Sequence, residues 1–149
     1  MRLKLCLPAA LATAALFPAG AFASPAEHAT ADLFSGPFHV QFDAQRAANA
    51  PADSATGSFT GTLTGVGFFA GPVTCLDIEG NRVGLFYPIT SSSPSLFSML
   101  GSGVFIYLQF SGAQPQSITF LPVPFARTTS CTPLPGLLPV TSGTASFSG

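Results

Sequence analysis

Along residues 57–64, Phe59, Gly61 and Leu63 alternate with Ser58, Thr60, Thr62 and Thr64. A strict period of two suits a pleated strand, with one apolar face and one face of hydroxyls, and does not suit a helix. Phe38, Val40 and Phe42 alternate with His39, Gln41 and Asp43 in the same way. Residues 73–78 and 82–89 form two further runs around Glu79, Gly80 and Asn81, and Gly-Asn is a hairpin signal because both residues tolerate positive φ. Residues 104–110 are apolar on both faces, Val104, Ile106, Leu108 and Phe110 on one and Phe105 and Tyr107 on the other, which predicts a central strand covered twice. Residues 117–123 and 143–148 complete the set.

No stretch of residues 24–149 has the apolar spacing of an amphipathic helix. Residues 95–100 could make one helical turn with Ser95 as its N-cap, but Gly101 and Gly103 stop it, so 90–103 reads as a loop. Residues 122–139 hold five prolines, which exclude a central strand there. The expected fold is therefore all-β: a single antiparallel β-barrel or sandwich of about seven to eight short strands. Its expected core includes Phe42, Phe59, Leu63, Leu76, Ile78, Ile106 and Leu108, with residues 79–81 exposed at a hairpin tip.

The N-terminus sets the expected compartment. Arg2 and Lys4 precede an almost wholly apolar run to Phe22, and Ala21 to Ala23 supplies small residues where a signal peptidase cuts. Residues 1–23 read as a secretory signal peptide, since Pro8 and Pro18 interrupt the run and no basic stop-transfer cluster follows. Cys6 lies at the start of that run, where a lipoprotein cysteine would not. The division is then a signal peptide at 1–23, a loose N-terminal arm at 24–35 with His28 in it, and a β-domain at 36–149, with a flexible loop at 47–55.

From residue 24 onward the basic side chains are Arg46, Arg82 and Arg127, against Glu27, Asp32, Asp43, Asp53, Asp77 and Glu79. Three scattered arginines cannot neutralise a run of phosphates, which excludes nucleic acid as a partner. An outer-membrane barrel would need an unbroken apolar outer band, whereas here the outer faces read Ser and Thr, so no membrane association is expected after cleavage. Sixteen Ser and 13 Thr in this region supply solubility in place of charge.

Export would leave Cys75 and Cys131 in an oxidising compartment, where they are expected to form one disulfide. Neither has the short Cys-x-x-Cys spacing or a neighbouring His that a metal or redox site uses.

The run 71–83, Gly-Pro-Val-Thr-Cys-Leu-Asp-Ile-Glu-Gly-Asn-Arg-Val, with Phe42-Asp43-Ala44 and Thr56-Gly57-Ser58-Phe59 before it and 138–143 after it, resembles a family of small secreted actinobacterial β-rich proteins. Its most specific element is the Cys-Leu-x-x-x-Gly-Asn-Arg hairpin. The chain departs from that family at Ser111-Gly112-Ala113, where those proteins carry an Asp-Asn-Gly type of turn. The resemblance implies a secreted β-domain with one disulfide. It implies no chemistry, since the family has no established activity.

Candidate catalytic groups are few. His39 is the histidine expected within the fold. Asp43 shares its strand face but lies roughly 13 Å along the strand, beyond hydrogen-bond reach. Asp77 and Glu79 share a face and stand at a spacing that glycoside hydrolysis can use, but they flank a hairpin where acids are ordinarily solvated. A calcium site there would want more oxygen ligands. No catalytic, cofactor or metal residue is therefore assigned, and the chain reads as non-enzymatic. The expected role is a structural or interaction module at the cell exterior. It would meet a protein or an envelope polymer through the Ser/Thr face or the long loops 90–103 and 122–139. The alternative is a carrier holding a small apolar ligand inside a barrel, suggested by 13 phenylalanines after residue 23; a secreted hydrolase ranks below both.

Overall fold

The computed structural model describes residues 25–149, so the expected signal peptide lies outside the described residues. Eleven strands form two antiparallel sheets packed face to face. In spatial order the first sheet holds β11 (Ser142–Ser148), β1 (Glu27–Ser35), β2 (Phe38–Arg46), β3 (Thr56–Leu63), β4 (Gly67–Pro72) and β7 (Ser91–Ser92). The second holds β10 (Leu138–Pro139), β9 (Gln114–Val123), β8 (Gly103–Ser111), β6 (Arg82–Pro88) and β5 (Cys75–Glu79).

The sandwich follows from the alternation. Val40, Phe42 and Ala44 of β2, Phe59 of β3, Leu76 of β5, Leu85 and Tyr87 of β6 and Ile106 and Leu108 of β8 meet in one buried core. Phe59 lies at its centre, 3.9 Å from the Tyr87 ring across the sheets and within 6.5 Å of Phe42 and Phe69 along its own sheet. Leu63 and Ile78 are only half-buried. Leu63 ends β3 at the hairpin into β4, and Ile78 sits on the edge strand of the second sheet.

Four strands escape the sequence reading. The expected loose arm is instead β1, hydrogen-bonded between β2 and β11. It earns that place because Ala29, Ala31 and Leu33 face the core while His28, Thr30, Asp32 and Phe34 face out, a period of two written in small residues. The Gly-bounded β4 and the two-residue β7 and β10 are the others, which raises the count above the expected seven to eight. Within the expected 90–103 loop, Pro94–Met99 forms 3-10 turns capped at Ser93, with Pro94 in the first turn, so Ser95 is not the N-cap.

Among the described residues no sheet closes into a barrel. The chain does cross between sheets at two corners: Ile89 N–H donates to Ser102 O and Thr90 N–H to Ala70 O, and likewise Val140 N–H donates to Gln116 O and Thr141 N–H to Phe34 O. Successive amides of a strand point to opposite edges, so each corner touches both sheets. Beyond each corner the strand follows one sheet alone, and the ladder is not continuous around the molecule.

The expected double cover of β8 is present, with residues 103–108 all buried. Residues 124–137, which hold no strand, lie as a strap over the outer face of the second sheet. There Cys75, Phe86, Phe105, Tyr107 and Cys131 form a second, smaller core. Cys75 and Cys131 are disulfide-bonded, with Cα atoms 6.1 Å apart. The strap lies so close that a Cβ at Gly84 would stand 2.0 Å from Cys131 O, so position 84 admits only glycine without backbone movement. The hairpin at 79–81 is as read, with Glu79 opposite Arg82 and Gly80 at φ 61°. Asn81 Nδ2 also donates to Phe110 O at 2.7 Å, tying the turn to β8.

Candidate functional site

The exposed face of the six-stranded sheet gathers both histidines and two of the acids, Asp32 and Asp43. The register sets Phe34, His39, Thr62 and Phe68 in one row across β1 to β4, and Asp32, Gln41, Thr60 and Ala70 in the next. On a right-twisted antiparallel pair, diagonal neighbours come within reach of long side chains. Both histidines use that diagonal. His39 Nε2 lies 2.7 Å from Asp32 Oδ1, and His28 Nε2 lies 2.9 Å from Asp43 Oδ1. Gln41 Nε2 donates to the other Asp32 oxygen at 3.1 Å. The His39 hydrogen bond, helped by Gln41, holds the Asp32 carboxyl below the usual carboxylate range. Phe34, still 42% exposed, stacks on the His39 ring at 4.2 Å and 6°.

These pairings correct the reading of both histidines. His28 is on a strand, not in an arm, and the acid that His39 reaches comes from β1 and not from its own strand. Asp43, the acid considered for His39, is bonded to His28. Among the described residues no hydroxyl is hydrogen-bonded to either ring nitrogen of His39, so the nucleophile of a triad is not assembled there.

The second candidate pair is also divided. Asp77 Oδ1 stands 3.9 Å from Arg46 Nη2 of the other sheet, and Arg46 Nη2 donates to Glu27 Oε1, its direct cross-strand partner. Glu27 and Arg46 are largely buried, so this triad ties the two sheets at one end, while Glu79 stays exposed at the hairpin. Burial pushes the Glu27 carboxyl above its ordinary value of 4.5 despite the opposing pull of Arg46. The folded state therefore binds the Glu27 proton more tightly than the unfolded chain does. That contribution is present below 4.5 and is lost as pH rises through the raised folded value. Unfolding free energy measured against pH should fall across that window, no more steeply than about 1.4 kcal/mol per pH unit for one proton. Glu27→Gln should remove that component of the slope; an unchanged profile would exclude Glu27 as its source.

Sequence reasoning missed a second location. Where the strap leaves β9, a cleft of about 800 Å³ opens between Phe125, Ala126, Arg127, Thr128 and Thr129 on one side and Asp53, Thr74 and Pro88 on the other. Asp53 comes from the 3-10 turn Ala52–Ser54 in the β2 to β3 connection. The available signal was Arg127, the only charged side chain after Arg82. A small gap of about 110 Å³ lies near β11, between Phe110, Ala113, Ala145, Ser146 and Phe147.

Among the described residues no helix is long and apolar enough to cross a membrane, and no three His, Cys, Asp or Glu side chains group as metal ligands would. Neither a protein-family model, nor a curated protein, nor a solved structure matches this chain.

Proposed function

We propose that the protein is exported and acts without catalysis as an interaction module at the cell exterior, laying the outer face of its six-stranded sheet on an uncharged envelope polymer. The observation that carries this reading is that both carboxylates of that face are already hydrogen-bonded to neighbours on it. Asp32 is bonded to His39 and Asp43 to His28, in a field of Thr, Ser and Gln side chains such as the Thr30 and Ser146 hydroxyls, 2.9 Å apart. Such a surface offers hydrogen bonds from neutral side chains and no Lys or Arg to draw a polyanion, and Phe34 and Phe68 add exposed rings at the two ends of one row. The Cys75–Cys131 disulfide is compatible with an exported protein. The reading as a carrier of an apolar ligand in a barrel interior has less support, because among the described residues no sheet closes into a barrel.

Co-sedimentation of residues 24–149 with isolated envelope polymer is the test. Binding should change little between low salt and about 0.5 M salt, since no charge attraction drives it. Gln41→Arg and Thr60→Arg should abolish it, because a bulky cation in the middle of the face blocks close approach. Binding that collapses with salt, or that survives both substitutions, would overturn the reading. Turnover of ester, peptide or glycoside substrates that disappears in His39→Ala would replace it with a hydrolase.

A further inference from the structure

We infer that the strap cleft is a binding site for a single neutral sugar ring. This inference goes beyond the sheet face and shares no residue with it. The cleft volume, about 800 Å³, falls within the range of small-ligand sites. Its strap wall is held in place before any ligand arrives: Cys131 is bonded to Cys75, and the Phe125 ring packs 6.1 Å from Phe86 and 6.2 Å from Phe105. A wall ordered in advance spares the entropy that a free loop would lose on binding.

The polar groups of the cleft narrow the ligand class. Thr128 Oγ1 already donates to Ser130 O at 2.8 Å. Among the described residues, Arg127 and Asp53 have no ion-pair partner, and the Thr74 and Thr129 hydroxyls have no hydrogen-bond partner. A ligand thus meets one cation, one anion, two hydroxyls and an aromatic face that is 45% exposed. The two charges sum to zero, so neither a polyanion nor a cation is selected. An apolar ligand would strip water from Arg127 and Asp53 without replacing its hydrogen bonds. A pyranose satisfies every group. Its C–H face covers Phe125, neighbouring hydroxyls donate to the two Asp53 oxygens, ring and hydroxyl oxygens accept from the Arg127 guanidinium, and Thr74 and Thr129 serve as donor or acceptor.

Isotope-labelled residues 24–149 should be titrated by NMR with the methyl glycosides of glucose, galactose, mannose and N-acetylglucosamine, and in parallel with methyl glucuronide and with glycine. At least one neutral glycoside is expected to shift the amides of Thr74, Ala126 and Thr129 in a saturable way. Phe125→Ala and Arg127→Gln should each weaken that binding about tenfold, the effect of losing one good contact. Arg127→Gln alters only an exposed side chain, so it remains informative if Phe125→Ala loosens the strap. The inference fails if no neutral glycoside shifts the cleft, if glucuronide or glycine binds more tightly, or if Arg127→Gln leaves the affinity unchanged. Shifts on Gln41 and Thr60 in place of the cleft would also refute it, while leaving the sheet-face reading intact.

Discussion

Phe59→Ala is expected to destabilise the domain by about 3–5 kcal/mol, the range for deleting a buried aromatic side chain. Small domains have about 5–15 kcal/mol in total, so this one change would consume much of the reserve. The position is severe because Phe59 is 1% exposed and contacts rings in both sheets: Tyr87 at 3.9 Å, Phe42 at 6.3 Å and Phe69 at 6.5 Å. The Tyr87 ring, fully buried, stacks directly on Phe59 and would lose that contact. Urea unfolding should show a lower midpoint with an unchanged slope. A loss under about 1 kcal/mol would mean that the sheets close the gap and that the aromatic stack does not hold them apart.

Removing the disulfide, by Cys75→Ser with Cys131→Ser, is expected to cost roughly 4 kcal/mol, because the bond closes a long loop in the unfolded chain. The sequence separation of 56 residues sets that magnitude. The native state should be hit locally as well. Cys131 anchors the strap, and the strap covers Phe86, Phe105 and Tyr107, which together form the second core. Limited proteolysis should therefore begin within residues 124–137 in the double variant, and thermal unfolding should shift downward. Export should be unaffected, since the expected signal peptide lies elsewhere. Free thiols found in the exported wild-type protein would contradict the staple.

The outline of this fold was legible wherever a strand alternates apolar with polar residues, as β2 and β3 do, or is apolar on both faces over most of its length, as β8 is from Val104 to Leu108. The Gly80-Asn81 turn and the pairing of Cys75 with Cys131 were legible too, the first from backbone chemistry and the second from the two cysteines left once Cys6 is read as part of the expected signal peptide. β1 was missed because Ala29 and Ala31 give the same alternation a weak amplitude, and an alanine stripe becomes a core stripe only when facing strands supply the bulk. The candidate sites were hidden for a different reason. His39 meets Asp32 only because a hairpin folds β1 against β2 and twist brings one diagonal close, and Asp77 meets Arg46 only because two sheets end at the same place. The strap cleft draws on Asp53, Thr74 and Arg127 from three distant segments. Local pattern therefore determined which segments are strands and which face of each is apolar, since side-chain period is a property of the strand itself. Partner order, the open seam that prevents a barrel and the charges that meet across strands were decided by tertiary packing, because they depend on distances between segments that no local period encodes.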